Sequence, residues 1–260
     1  MQYVWLVCLI VLFQLPVQGK DNFKISGHPE FPPLMFKKGD TIAGVFPDII
    51  METFKSLNIT ATLEYVGPWA RVQKSAEKGD IDAIAGIYKN EVRAKYLDFI
   101  MLPLIENKAV VYVKKGNAFK FESWSSLKGR SLGILIGDRY QESFEQFLNS
   151  NKKDIKIERV KAINQLFLML AKGRIDTVIY SNFVGDIVIK ESGLSDEIEM
   201  LQPEVYSSDF YFAISRKSPL VKDKARIEQQ LKLTISKLTL GDLLRKNSEE
   251  YLKLHGGKVL

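Results

Sequence analysis

Few residues in this chain combine the type and the spacing that covalent chemistry requires. It holds two histidines, His28 and His255, and one cysteine, Cys8, so a transition-metal cluster is not expected and no cofactor is implied. No Walker-type loop and no GxSxG elbow occur. The polar groups of interest sit instead where short motifs meet. Arg93, near Tyr88 and Glu91, carries a planar guanidinium that presents two parallel donors to a planar anion, which lysine does not reproduce. Gly137-Asp138-Arg139-Tyr140 joins a strand-like run to a helix-like one, a place where main-chain amides gather anions. Ser181-Asn182 ends another strand-like run and offers hydrogen bonds to a neutral or anionic group. The rings of Phe31 and Trp69 would add apolar contact and attract cations.

Each of these has a plainer reading. Arg93 taken alone is a surface arginine near a helix start, while Asp138 and Ser181 are good helix N-caps. Trp69 reads as core, Asp48 as a helix-start residue, and Asp82 as the tie of a turn. An enzyme would need proton-transfer groups, for which Glu91, Asp138 and Tyr88 are the available set, but nothing in their spacing requires it.

Positioning these groups falls to alternating strands and helices. Residues 23–26 read as a strand, 47–57 as a helix with Pro47 in its first turn, and 59–66 as an alternating strand. Residues 69–78 are helical and 81–85 form a short buried strand, which completes a βαβαβ order. The pattern restarts with strands over 108–114 and 131–136 and a helix over 139–148. It continues with a strand over 155–160, a helix over 163–171, a strand over 177–180 and a helix over 182–190. A strand over 210–215 and helical stretches over 220–238 and 240–254 close the chain. No flexible linker, low-complexity segment or short repeat separates the blocks.

The first residues set an expectation about compartment. Tyr3 to Phe13 is an unbroken apolar run too short to span a bilayer stably, followed by Pro16 and Val17-Gln18-Gly19. That layout predicts a signal peptide over residues 1–19, although Met1-Gln2 lacks the usual basic residue. A retained anchor is the alternative, and Cys8, inside the apolar run, is poorly placed for lipidation. The remaining ~240 residues carry no cysteine, so no disulfide is expected. The net charge of +6 is spread along the chain rather than gathered in a stripe, which argues against nucleic acid as a partner.

A series of motifs then falls in a familiar order. Glu30-Phe31-Pro32-Pro33 precedes Gly44-Val45-Phe46-Pro47-Asp48-Ile49, and Pro68-Trp69-Ala70-Arg71 precedes Lys78-Gly79-Asp80-Ile81-Asp82-Ala83. Gly86-Ile87-Tyr88-Lys89-Asn90-Glu91-Val92-Arg93 and Leu97-Asp98-Phe99 follow. Leu127-Lys128-Gly129-Arg130-Ser131-Leu132-Gly133 and Gly173-Arg174-Ile175-Asp176-Thr177-Val178 complete the series. In order and spacing the chain resembles the polar amino-acid-binding family of periplasmic solute-binding proteins (bacterial extracellular family 3, type II periplasmic binding fold).

The resemblance implies an α/β fold of two lobes, each with a mostly parallel central sheet, joined by two hinge strands. The first lobe would hold residues 20–105 and 207–260 and the second residues 106–206, with hinges near 103–107 and 204–208. Ligand would sit in the interlobe cleft, at the strand ends. Arg93 matches the arginine that pairs with a ligand α-carboxylate, with Gly86 and Tyr88 beside it and Phe31 and Trp69 as cleft rings. Gly137, Asp138 and Arg139 occupy the anion-holding turn of the second lobe. Ser181 stands where amino-acid binders carry an aspartate for the ligand ammonium, with Asn182 next to it, so a standard amino acid is not expected. The implied function is a monomeric periplasmic receptor that captures a small polar, carboxylate-bearing solute for an inner-membrane ABC permease. A membrane sensor as partner, or an enzyme similar to cyclohexadienyl dehydratase, is the alternative.

Overall fold

The computed structural model describes residues 22–138 and 140–255. The signal-peptide expectation and Arg139 therefore lie outside the described residues. In chain order the first part runs β1 (Phe23–Ser26), β2 (Glu30–Phe31), β3 (Met35–Lys38), β4 (Thr41–Ala43) and α1 (Val45–Ser56). It continues with β5 (Ala61–Leu63), α2 (Trp69–Lys78), β6 (Ala83–Tyr88), α3 (Glu91–Ala94) and β7 (Leu97–Phe99). Next come β8 (Ile105–Lys114), β9 (Ser131–Leu135), α4 (Glu142–Ser150), β10 (Lys156–Val160) and α5 (Ile163–Ala171). The last part is β11 (Thr177–Ser181), α6 (Asn182–Glu191), β12 (Ile198–Met200), β13 (Tyr206–Ser215), α7 (Lys224–Lys237) and α8 (Leu240–His255).

The main sheet runs in the order β10-β9-β11-β8-β13-β6-β1-β5. Strands β5, β1 and β6 are parallel to one another, as are β10, β9 and β11. Each parallel set is bordered by one long antiparallel strand, β13 on the first and β8 on the second. Those two strands pair with each other only through residues 105–109 against 206–210. This is the expected two-lobed α/β fold, with β8 and β13 as the hinge strands.

Both hinge strands are longer than the apolar runs that predicted them. Residues 108–114 and 210–215 grew to ten-residue strands starting at Ile105 and Tyr206. The added residues include Glu106, Asn107, Ser207, Ser208 and Asp209. They cross between lobes beside a cleft, so hydrophobic periodicity does not mark them. The antiparallel sheet of β2, β3 and β4 was also unannounced, because its strands are two to four residues long.

Burial explains the helices. On α1, Val45, Phe46, Ile49, Ile50 and Phe54 are buried at helical spacing. Asp48, in its first turn, accepts from Lys246 Nζ at 2.9 Å and Asn247 Nδ2 at 3.0 Å, tying α1 to α8. One buried cluster runs from Ile25, Phe46 and Phe212 in the first lobe to Leu166, Phe167 and Val184 in the second.

Asp82 ties the first lobe together, as its turn position suggested. It is 1% exposed, accepts from the Lys24 amide at 2.8 Å and takes the Ser218 hydroxyl at 2.7 Å. These contacts join β1 to the segment after β13. Asp82→Ala is expected to destabilise the protein by about 2–3 kcal/mol, since two buried donors lose a charged acceptor. Urea unfolding with an unchanged midpoint would count against that role.

Candidate functional site

The cleft between the lobes encloses an inner cavity of about 70 Å³. Its floor is one face of the paired hinge strands. Asn107 and Ala109 on β8, and Tyr206, Ser208 and Phe210 on β13, alternate along their strands and so share that face. Its first-lobe wall holds His28, Phe31, Trp69, Gly86, Tyr88 and Arg93, while Asp138, Tyr140, Tyr180 and Ser181 face them from the second lobe. An outer groove of about 640 Å³ lies beside it, and Arg93, Asp138 and Tyr140 line both spaces.

Local structure places Arg93. Asn90 caps α3, its side chain accepting from the Arg93 amide at 2.8 Å. The side chain is 3% exposed, donates from Nη1 to the Tyr88 carbonyl at 2.8 Å and from Nε to Gln73 Oε1 at 3.1 Å. Its guanidinium also lies 5.7 Å from the centre of the Trp69 ring. The surface-arginine reading is thereby overturned: the short helix turns this residue inward. Tyr88 is raised, mainly by burial, and therefore stays a protonated phenol. Gly86 lines the cavity, and Phe46 fills the space where a Cβ would stand, so no larger residue fits there.

The rings meet directly. His28 lies 4.8 Å from Trp69 and 5.5 Å from Phe31, which in turn sits 5.3 Å from Phe210 and 5.9 Å from Tyr180. Trp69 is thus both core and cavity wall.

Among the described residues, three polar contacts join the lobes beside the cavity and a fourth joins them behind the hinge. His28 Nε2 lies 3.5 Å from Asp138 Oδ1. Gln73 Nε2 donates to the Gly137 carbonyl at 3.1 Å, and the Ile163 amide donates to Glu30 at 3.1 Å. Behind the hinge, the Tyr251 hydroxyl on α8 donates to Glu191 on α6 at 2.9 Å.

The second lobe departs from three expectations. Asp138 does not cap the following helix: α4 begins at Glu142 with Gln141 as its N-cap, and the Tyr140 amide donates to Glu145 instead. The turn is longer than the spacing suggested, which leaves Asp138 facing the cleft. Gly137 lines the outer groove rather than the inner cavity, its carbonyl engaged by Gln73. Asn182 lines neither; it is the first residue of α6, and its side chain accepts from the Phe183 amide. Ser181 does cap α6, accepting from the Val184 amide at 3.4 Å, and also lines the cavity. Glu91 is exposed and borders neither space, so the proton-transfer set does not assemble.

Sequence reasoning missed His28, Asn107, Tyr180, Tyr206 and Phe210. Strand alternation gives Asn107, Tyr206 and Phe210 once the hinge strands are known, but no local signal marks His28 or Tyr180. Burial beside the Asp138 carboxylate holds the Tyr140 and Tyr180 phenols well above their usual range, so both keep their protons. Among the described residues, no group of three or more His, Cys, Asp or Glu is placed to hold a metal. Nor is any helix there long and apolar enough to cross a membrane.

Glu30 gives the contact between the lobes at Ile163 a pH dependence. Burial raises its carboxyl above the ordinary 4.5, with the Ile163 bond and His28 opposing. An acid raised in the folded protein binds its proton more tightly there, so its contribution is full below the ordinary value and lost as pH rises from it through the raised folded value. Thermal melts from about pH 4 to about pH 7 should therefore show a component that Glu30→Gln flattens. Identical pH profiles for the two proteins would refute this.

The architecture and cleft define a two-lobed solute-binding protein. A family model, bacterial extracellular solute-binding proteins, family 3, matches residues 23–253, and the chain belongs to that family. The L-cystine-binding protein TcyJ of Escherichia coli K12 is 23% identical over 178 residues, 68% of this chain and 65% of that protein. The match thus spans just under two thirds of that relative's length. An ancestral arginine-binding protein bound to arginine superposes with a TM-score of 0.69 at 20% identity, covering 92% of this chain and 99% of that one. The amino acid ABC transporter substrate-binding protein AbpA of Streptococcus pneumoniae, bound to L-arginine, gives 0.67 at 20% identity, covering 92% and 97%. At such identities these structures establish the fold.

Proposed function

We propose that this protein is an exported, periplasmic receptor that captures a small carboxylate-bearing solute, an amino acid or a close relative, in its interlobe cleft. The observation that carries the reading is Arg93, buried at the junction of the inner cavity and the outer groove and oriented by Tyr88 and Gln73. A buried guanidinium binds a carboxylate through charge-assisted hydrogen bonds, roughly twice as strong as neutral ones. Phe31, Trp69, Gly86, Tyr88, Asp138 and Ser181 complete the proposed site. The lobes are residues 20–105 with 207–260, and 106–206, closing by rotation about the hinge strands. The closed form is then read by an ABC permease, with the receptor acting as a monomer and catalysing no reaction.

A thermal-shift panel of amino acids, polyamines, organic acids and small peptides tests this. A ligand at a hundredfold excess over its Kd would stabilise the protein by about 2.7 kcal/mol. If no carboxylate-bearing compound raises the melting temperature, the proposal fails.

A further inference from the structure

Gln73, on α2, uses the two ends of one amide in two different lobes. Its Oε1 accepts from Arg93 Nε at 3.1 Å, and its Nε2 donates to the Gly137 carbonyl at 3.1 Å. Only one orientation of the amide satisfies both, because a guanidinium N–H donates and a carbonyl accepts. Each end meets a group that its own lobe already holds. On the first lobe, Arg93 Nη1 donates to the Tyr88 carbonyl at 2.8 Å. On the second, the Ile136 amide donates to the Val160 carbonyl at 2.8 Å and the Asp138 amide to the Leu135 carbonyl at 3.2 Å, which fixes the turn around Gly137. That turn lies directly against α2. Gly137 has a φ of +93°, and a Cβ added there would stand 3.3 Å from the Ala70 Cβ. Gln73 lines the outer groove but not the inner cavity, so it acts on a ligand in the cavity through Arg93.

We infer that Gln73 is a positioning residue that couples the orientation of Arg93 to the closure of the two lobes. The inference rests on the reading of Arg93 as the carboxylate anchor and deepens it. With the lobes together, both ends of the amide are held and the Arg93 fork is fixed beside the cavity. With the lobes apart, the Gly137 bond is lost and the Gln73 side chain regains rotamer freedom, which loosens its hold on Nε. Coupling of this kind is reciprocal. What closure does for Arg93, a carboxylate bound to Arg93 does for closure. The consequence is kinetic: a first encounter with the open cleft does not use the Gln73 bridge, whereas escape from the closed one has to break it.

The test is stopped-flow binding of the carboxylate that scores best in the thermal-shift panel, read by the fluorescence of Trp69, whose ring centre lies 5.7 Å from the Arg93 guanidinium. Gln73→Met, of similar length but without the amide, should raise koff about tenfold and leave kon within about twofold of the parent. Gln73→Glu keeps an acceptor for Arg93 Nε but has no donor for Gly137, so it should raise koff at least as much, and it serves if Gln73→Met does not fold. Gly137→Ala, which presses on Ala70 without touching Arg93, should raise koff as well. Combined with Gln73→Met it should add little, because both act on one contact. A parental koff in Gln73→Met and Gln73→Glu, a loss confined to kon, or fully multiplicative effects of Gln73→Met and Gly137→Ala each overturn the inference. Arg93-dependent binding with a parental koff in the Gln73 variants would leave the proposed function standing while this coupling falls. Binding indifferent to Arg93→Ala, or silence across the whole panel, would sink both.

Discussion

Arg93→Ala is expected to reduce ligand affinity by at least about 100-fold, close to 3 kcal/mol, because a buried charged partner is removed. The side chain presents five donors in a planar fork, and its orientation is set by the Tyr88 carbonyl and Gln73 rather than by the ligand. Binding therefore spends little on ordering the guanidinium. Arg93→Lys should not restore affinity, since an ammonium is a point charge without the paired parallel donors. Calorimetry with the best ligand of the panel, alongside circular dichroism to confirm folding, checks the expectation. A folded Arg93→Ala protein with near-parental affinity would place the anchor elsewhere.

Gly44→Ala should produce the largest loss of stability, about 3 kcal/mol or more, by combining backbone strain with a clash that cannot relax. Gly44 precedes α1 with φ at +130°, and an added Cβ would stand 2.4 Å from the Leu34 carbonyl oxygen and 2.8 Å from Met35 Cα. That same carbonyl accepts from the Phe46 amide at 3.1 Å, so moving it costs a hydrogen bond at the helix start. Gly116→Ala is the matched control. Its φ is +87° with nothing within 4 Å of the added carbon, so it should cost only the conformational part, about 1–2 kcal/mol. Equal urea midpoints for the two variants would show that the contact with Leu34 is unimportant.

Much of the fold was legible because its signals are local. The helix of residues 69–78 and the helix of residues 163–171 appear at the expected bounds, and β1, β9 and β11 within one residue. Apolar spacing reports burial directly, and these segments each bury one face or both. The hinge strands were cut short for the converse reason. Their first halves face a polar cleft, so their residue types resemble a loop. The helix expected to start at residue 139 begins at Glu142, because Glu145 takes the Tyr140 amide and the turn extends.

The candidate site divides in the same way. Arg93, Phe31, Trp69, Tyr88 and Ser181 were named from motif order, and the fold gathers them on one cavity. What sequence could not supply was distance. Asp138 looked like a cap that would compete with an anionic ligand, and Ser181 looked like a missing acid. Only packing brings His28, from residues after β1, to Asp138, from residues after β9, with Tyr140 and Tyr180 around them.

The two readings of Arg93 show where that boundary lies. The sequence by itself determined that a guanidinium stands near a helix start, in a chain whose alternating strands and helices build two lobes. Hydrophobic periodicity and turn chemistry act between near neighbours, so they can be read from one chain segment at a time. Whether Arg93 faces solvent or a cleft depends on Trp69, Gln73 and the opposite lobe, 20 or more residues away in sequence. Tertiary structure alone decided that, because burial and electrostatics are set by what the fold brings near and not by what the chain places adjacent.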